Sequence, residues 1–235
     1  MPDQPTAGAL HSTVLAALGA AIVSGEYPPG QVLTLDSVSA RHRVSRSVAR
    51  EAIRVLESMG MVESRRRVGI TVLAADRWNV FDPRLIRWRL DAGDRVALLD
   101  SLSELRRGFE PAAAALAARR ADPQQCRILA AAASDMVMHG RSGDLEAYLL
   151  ADRTFHQTLL EASGNEMFRA LNPVVAEVLA GRTHHGMMPE APNPAAIALH
   201  DDVARAIRLG DESAAERAMI AIIDEAASAV ADEFS

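Results

Sequence analysis

The stretch VSRSVAREAIRVLESMGMV, residues 44–62, decides the fold of the N-terminal part of this chain. Its apolar residues recur at the spacing of one helix face, which predicts a single amphipathic helix. These residues are Val48, Ala52, Val55, Leu56 and Met59. Ser45 is a suitable N-cap before the helix, and Gly60 lies where a helix can end on a left-handed residue.

Three arginines lie on the other side of this predicted helix. Arg46, Arg50 and Arg54 are spaced four residues apart. A short helix with one buried face and guanidinium groups on another fits the DNA major groove, where Arg pairs with guanine or holds phosphates. For an isolated stretch, a solvated basic face on an ordinary helix would be the more common explanation.

The segment after this helix has the pattern of a β-hairpin with a basic tip. Strand-forming residues flank three arginines and a closing glycine: Val62, Arg65, Arg66, Arg67, Gly69, Ile70 and Val72. Two helical patterns precede it, at residues 12–24 and 36–43. Together these elements predict a winged helix-turn-helix whose tip lies against the sugar-phosphate backbone or the minor groove.

The order of these elements and the motif VSR-x-x-x-R-E-A-I-x-x-L-x-x-x-G resemble the GntR family of bacterial transcription regulators over residues 10–74. The resemblance implies that Arg46 and Arg50 contact double-stranded operator DNA, with Ser45 at the start of the same helix. It also implies added contacts from Arg66 and Arg67 in the wing. At residues 33–36, LTLD, the chain departs from the Pro and charged residues that usually open the second helix, so a phosphate contact from there is not carried over.

The distribution of charge supports a nucleic-acid-binding module. Residues 41–67 hold eight Arg and three Glu, a net charge of +5, although the whole chain carries −6. From residue 76 onward, seventeen Arg stand against twenty-five acidic residues, a net charge of −8. A basic module joined to an acidic one is typical of a DNA-binding regulator with two domains.

The cysteine content and the hydropathy of the chain indicate in which cellular compartment the protein is expected. The single Cys126 excludes an intrachain disulfide framework and fits a reducing environment. No signal peptide is evident, and no apolar run approaches the roughly 20 residues that span a bilayer. We therefore expect a soluble cytoplasmic protein that does not bind a membrane.

The domain organisation follows from these patterns. We expect a flexible segment at 1–9, the winged helix-turn-helix at 10–74, a linker at 75–94 and a second domain at 95–235.

The linker contains both tryptophans of the chain, Trp78 and Trp88, so we expect it to pack against a domain. Its pattern W-N-x-x-D-P-x-x-I-x-W resembles the linker of sugar-acid-responsive members of the family, the galactonate-operon repressor group. A well-packed interdomain helix explains the pattern equally well.

The second domain shows helical patterns and almost no strand signal. Six helices are predicted, at residues 96–119, 123–139, 144–163, 165–185, 195–209 and 212–232. The fold class is therefore mainly α, with a C-terminal all-α antiparallel helical bundle. The segments ELRRGFEPAAAALAARR, ADRTFHQTLLEASGN and LHDDVARAIRLGD resemble the FCD ligand-binding domain of FadR-type GntR regulators. This resemblance implies effector binding and dimerisation.

Three polar residues are expected to point into this bundle. Asp152 and His156 lie four residues apart on one helix face, and His200 faces inward on a later helix. Buried polar groups must be satisfied, and a divalent metal such as Zn, Ni, Mn or Fe satisfies all three. The alternative is a mutual Asp–His hydrogen bond, with His200 bonded to backbone or water. The resemblance implies that the three are metal ligands.

The family's fourth metal ligand is a His in the pattern M-x-x-H, but here Met219 is followed by Ile222. Three alternatives stay open. A metal could be held by three residues and completed by water and effector, His184 or His185 could be recruited, or no metal is bound.

The resemblance further implies that Arg106 pairs with the carboxylate of an effector. The alternative is an exposed helical Arg paired with Glu104 or Glu110, a role that Arg107 could fill equally well. A metal beside an Arg favours sugar acids and hydroxy acids over a long acyl chain.

Three functions are compatible with these observations. The best supported is a repressor that binds a palindromic operator as a homodimer and is released by a small carboxylate. A constitutive DNA-binding dimer without effector ranks second. A metal-dependent enzyme that uses Asp152, His156 and His200 ranks last, so the chain is not expected to be an enzyme.

Overall fold

The computed structural model describes residues 7–93, 95–187 and 193–233. Within these ranges the chain forms eleven α-helices and one three-stranded sheet, which confirms the predicted mainly α class. Two compact units divide between Arg95 and Val96. Of the segment 1–9, predicted to be flexible, residues 1–6 lie outside the described residues and Ala7 begins the first helix.

The N-terminal unit has the element order of a winged helix-turn-helix followed by one more helix. Its elements are α1 (Ala7–Val23), β1 (Val32–Leu33), α2 (Leu35–His42), α3 (Arg46–Ser58), β2 (Val62–Arg65), β3 (Gly69–Val72), a 3₁₀ turn (Ala75–Arg77) and α4 (Pro83–Ala92). The sheet order is β1-β3-β2, and both pairs are antiparallel.

The ends of α3 are those predicted from the sequence. The Ser45 hydroxyl accepts a hydrogen bond from the Val48 backbone N–H at 3.3 Å, which satisfies an otherwise free donor at the helix start. Gly60 follows the helix with φ +70°. The buried face is rotated slightly from the predicted one, because Ala49 and Ile53 are buried, whereas Val48 is half-buried.

The strand β1 was not predicted. It has only two residues, so no alternation can be recognised in its sequence. It pairs with Ile70 and Thr71 of β3. Gly69 allows this approach, since a Cβ there would lie 2.8 Å from the Leu33 carbonyl oxygen.

The linker helix α4 packs against the N-terminal unit, as its tryptophans predicted. Asp82 caps the helix by accepting from the Arg84 backbone N–H at 2.9 Å. Trp88 is 6% exposed and its ring lies over Gly19 of α1. The Trp78 indole donates a hydrogen bond to the Leu73 carbonyl at 3.1 Å.

The C-terminal unit consists of helices joined by short connections. These are α5 (Arg95–Arg120), α6 (Pro123–Ser142), α7 (Leu145–Ala162), α8 (Glu166–Ala170), α9 (Asn172–His184), α10 (Pro194–Leu209) and α11 (Glu212–Glu233). Helix α6 packs on α7 and α10, α7 packs on α9, and α10 packs on α11. The core between them is rich in Ala and Leu.

The prediction of one helix over residues 165–185 is wrong. The segment forms α8 and α9, which meet at Leu171. Pro173 lies in the first turn of α9, where its missing N–H leaves no bond unmade, whereas in the middle of one long helix it would break a bond.

None of the helices within the described ranges combines the length and the apolar character needed to cross a bilayer.

Replacing Gly19 with Ala is expected to destabilise the N-terminal unit by about 1–3 kcal/mol, because the added methyl would overlap the Trp88 ring. The matched control is Gly108→Ala in α5, since nothing lies within 4 Å of a Cβ there. That change should be neutral or stabilise by up to about 1 kcal/mol. Urea unfolding followed by far-UV circular dichroism measures both, and tryptophan fluorescence reports separately on the N-terminal unit. A Gly19→Ala variant as stable as the wild type would contradict the packing of Trp88 against Gly19.

Candidate functional site

The arginines of α3 differ in their contacts. Arg46 forms an ion pair with Asp36 of α2, with its Nε 3.0 Å from Oδ1, and both side chains are exposed. Arg54 pairs with Glu51 of the same helix at 2.7 Å. Arg50 is exposed and has no partner among the described residues. Arg50 can therefore reach a phosphate or a base edge without breaking an ion pair, whereas Arg46 must first leave Asp36.

The wing presents two further cations. Arg66 and Arg67 form the exposed turn between β2 and β3, and neither has a partner within the described part of the chain. Arg67 has φ +68°, a left-handed conformation that costs a non-glycine residue about 1–2 kcal/mol. Arg65, by contrast, pairs with Glu63 at 3.0 Å. A tip with two unpaired guanidinium groups suits contacts to the DNA backbone.

The C-terminal unit brings Asp152, His156 and His200 together, as the sequence predicted. All three are buried, and one ligand atom of each lies within 4.8 Å of the others. Phe155 packs against both imidazoles, with its ring centroid 5.1 Å from that of His200.

The distances in this cluster suit a metal ion better than direct hydrogen bonds. Asp152 Oδ1 lies 3.4 Å from His156 Nε2 and 3.5 Å from His200 Nε2. Tetrahedral ligands about 2.1 Å from one ion are separated from each other by about 3.4 Å. Asp152 Oδ1 and His200 Nε2 are buried without a hydrogen-bond partner among the described residues. The cluster could therefore hold a divalent metal.

The outer nitrogens of the two imidazoles face acceptors. His200 Nδ1 is 3.2 Å from the Ala196 carbonyl oxygen, and His156 Nδ1 is 3.0 Å from Glu110 Oε2. The His200 contact favours the tautomer that leaves its Nε2 available to an ion. The His156 contact does not have hydrogen-bond geometry and sets no tautomer.

Arg106 and Glu110 form a buried ion pair behind this cluster. Arg106 Nε and Nη2 donate to the two carboxylate oxygens of Glu110 at 2.7 and 3.1 Å. Nη2 also lies 3.3 Å from His156 Nε2. Arg107, not Arg106, is the exposed arginine of the two, and it forms an ion pair with Asp224. Arg106 reaches the site as predicted, but most of its fork is engaged by Glu110.

The charges of these groups influence one another. Burial alone would raise the pKa of the Glu110 carboxyl, but the charges of Arg106 and His156 lower it to about 2. Burial likewise opposes ionisation of Asp152, and the two imidazoles outweigh it and hold its pKa below the ordinary value. Both carboxylates are therefore anionic at neutral pH. Burial lowers the pKa of His156, but Glu110 and Asp152 raise it above its usual value.

A cavity opens beside the cluster. Its wall includes Arg106, Tyr148, Asp152, His156, Arg182, His200, Ile222 and Glu225. It offers a volume of about 40 Å³, and since one water needs about 10–15 Å³ of such space, it accommodates an ion with a few waters. An organic acid requires side chains to move.

The residues considered for a fourth metal ligand lie in different places. Ile222 is buried and faces the cavity beside the cluster. His184 is exposed and its Nε2 lies 3.1 Å from Glu146 Oε1. Neither His184 nor His185 lines the cavity, so the described conformation supports neither as a ligand.

Comparison with known families identifies the chain. Residues 10–72 match the model of bacterial regulatory proteins of the gntR family, and residues 101–225 match that of the FCD domain. The chain belongs to the GntR family. It is a DNA-binding transcriptional regulator with an FCD domain.

Individual relatives agree with the assignment of this GntR-family regulator. The galactonate operon transcriptional repressor of Escherichia coli (strain K12) is 28% identical over 212 residues, 89% of this chain and 92% of the relative. The HTH-type transcriptional regulator LutR of Bacillus subtilis (strain 168) is 31% identical over 67% of this chain and 70% of its own. The solved structure of Streptococcus agalactiae GntR matches with a TM-score of 0.51 and 26% identity, covering 93% and 99% of the two chains. These relatives and domains are regulators and not enzymes.

Sequence reasoning missed the residues that surround the Asp152–His156–His200 cluster. Glu110 appeared only as a surface partner of Arg106, although two opposite charges next to a run of alanines signal a buried pair. Arg182, Tyr148 and Glu225 were not considered. Tyr148 lies four residues before Asp152, and Glu225 lies three after Ile222, so helical spacing could have indicated these two.

Replacing His200 with Ala is expected to lower Zn²⁺ affinity more than about tenfold, because it removes a ligand. His184→Ala should leave the affinity unchanged, since His184 lies on the surface. Isothermal titration of Zn²⁺ and elemental analysis of the purified protein measure both. An equal loss in His184→Ala would indicate that His184 is recruited, and a folded wild type that binds no metal would leave a hydrogen-bonded cluster.

Proposed function

We propose that this protein is a repressor of a sugar-acid or hydroxy-acid catabolic operon, released from its operator by a small carboxylate bound in the FCD domain. The observation that carries the proposal is the Asp152–His156–His200 cluster in the wall of a cavity that also contains arginines. The likeness to a galactonate operon repressor over most of both chains supports it.

In this proposal the protein binds operator DNA as a homodimer in the cytoplasm, through α3 and the wing. Arg50 and Arg46 contact base edges or phosphates, and Ser45 lies at the start of the same helix. Arg66 and Arg67 contact the backbone from the wing tip. Two-fold symmetry of the dimer predicts a palindromic operator with half-sites about one helical turn apart.

The effector would be a small acid that chelates the metal through its carboxylate and a neighbouring hydroxyl. Zn, Ni, Mn or Fe suits the ligand set of one carboxylate and two imidazoles. Because Ile222 supplies no donor, water and effector complete the coordination. A metal in the site would supply Lewis acidity that favours a hydroxy acid. Arg106, which is fixed by its ion pair with Glu110, places a positive charge in the cavity wall.

Release from DNA requires that the effector bind the DNA-incompetent conformation more tightly than the DNA-competent one. A typical coupling of this kind is about 1–3 kcal/mol, or 5- to 150-fold in operator affinity. The small cavity agrees with this requirement, since an acid larger than a few waters must displace side chains to enter.

Replacing Arg50 with Ala is expected to weaken operator binding and to lower the slope of log K against log salt by about 1 if the contact is to a phosphate. The matched control is Arg208→Ala, an exposed Arg on α10. Fluorescence anisotropy with an operator fragment enriched by the protein from genomic DNA measures both slopes. Unchanged affinity in Arg50→Ala would show that α3 is not the recognition helix.

Replacing His156 with Ala should abolish the release of operator DNA by galactonate while DNA binding without the acid persists, because the ligand is lost from the FCD domain alone. The same anisotropy assay with added galactonate, gluconate or lactate tests this. A variant that still responds fully would contradict a metal-centred pocket. If no acid alters the wild type, the protein is a constitutive DNA-binding dimer.

A further inference from the structure

We propose that Arg182 is the receptor for the effector carboxylate, and that the cavity selects polyhydroxy monocarboxylates over dicarboxylates. This inference rests on the proposed effector function and deepens it. Arg182 lies in the last turn of α9 and lines the same cavity as the metal cluster.

Arg182 is a cation without a direct partner among the described residues. Its Nε is buried and makes no hydrogen bond. Leaving such a donor unsatisfied is destabilising, and more so when the group is charged. Burial lowers the pKa of Arg182 and the nearby charge of Arg106 lowers it further, while Asp152 and Glu225 act in the opposite direction. Because a guanidinium is not deprotonated in proteins, the site contains a partly desolvated positive charge that an anion would satisfy.

The two cavity arginines have different capacities for a ligand. Arg106 already donates to both oxygens of Glu110, and its remaining contact is to His156. Within the described part of the chain, Arg182 makes no such bond. An incoming carboxylate therefore meets a guanidinium with no partner among the described residues, from which it can accept charge-assisted hydrogen bonds, while another oxygen faces the Asp152–His156–His200 cluster.

Other groups in the wall limit which acids fit. Glu225 faces the cavity as an acceptor for hydroxyl groups, and Tyr148 brings a phenolic hydroxyl. Burial raises the pKa of Tyr148, so its hydroxyl stays protonated at neutral pH. A second carboxylate on the ligand would be repelled by Glu225. The wall therefore favours a chain with hydroxyls and one carboxylate, such as an aldonic acid, over an aldaric acid.

The test uses full-length protein loaded with Zn²⁺ and three probes: galactonate, the uncharged alcohol galactitol, and the dicarboxylate galactarate. Isothermal titration should give tightest binding to galactonate in the wild type. Arg182→Met should lose about tenfold to a hundredfold in galactonate affinity and should prefer galactonate to galactitol less strongly than the wild type does, because only the metal still contacts the carboxylate. Its Zn²⁺ content should be unchanged, because Arg182 is not a ligand.

A thermal melt without ligand separates this role from a structural one. Arg182→Met should melt no lower than the wild type, since it removes an unpaired buried donor and keeps an apolar stem of similar length. Arg208→Gln is the control for loss of a positive charge and should leave all three affinities unchanged. Arg182→Lys keeps the charge without the fork and should bind galactonate with intermediate affinity.

Each part of the proposal can fail separately. Unchanged galactonate affinity in Arg182→Met, or in Arg182→Lys if the Met variant does not fold, overturns the role of Arg182 while the proposed function stands. Equal affinity of the wild type for galactonate and galactarate overturns the selection by Glu225. If the wild type binds none of these acids and no other acid releases the operator, the proposed function itself is wrong.

Discussion

The buried carboxylate of Asp152 requires the C-terminal unit to compensate its negative charge. Asp152 is 6% exposed, and an uncompensated charge in a protein interior costs several kcal/mol. His156 on α7 and His200 on α10 lie next to the Asp152 carboxylate and partly compensate its charge. Helix α5 adds Arg106, which is itself paired with Glu110. Because the imidazole nitrogens stop 3.4 and 3.5 Å from the Asp152 oxygen, they surround a point between them that a divalent ion fits. Ile222 lines the adjoining cavity and offers no donor, so an ion held there would have coordination positions open to water or to a ligand.

The ion pairs of helix α3 in the N-terminal unit are exposed, whereas the Arg106–Glu110 pair of the C-terminal unit is buried. The Arg46–Asp36 pair is exposed on both sides, and such pairs contribute only about 0–1 kcal/mol to stability. Arg46 can therefore exchange Asp36 for a DNA phosphate at little cost, and Arg50 needs no exchange at all. The protein thus keeps weak or absent ion pairs where a polyanion would bind. In the FCD domain the Arg106–Glu110 pair is buried next to the cavity.

Local patterns predicted the elements well where one side chain decides a boundary. The hydroxyl of Ser45 and the left-handed Gly60 mark the ends of α3, and both act through the backbone next to them. Prediction failed where the deciding feature was short or distant. The two residues of β1 become a strand only because Gly69 lets Leu33 approach β3, and Pro173 ends one helix and begins another inside a continuous apolar pattern.

The sequence by itself determined the winged helix, the helical bundle and the candidate metal ligands. These follow from spacing along one helix, where residues four apart must share a face. Only the tertiary structure decided that Arg106 is engaged by Glu110 while the Nε of Arg182 has no partner within the described ranges. It also placed Glu225 in the wall of the same cavity, which is too small for an organic acid before side chains move. The physical reason is that pairing between helices depends on how they cross and which side chains compete for one partner, and neither is encoded in the spacing of any single segment.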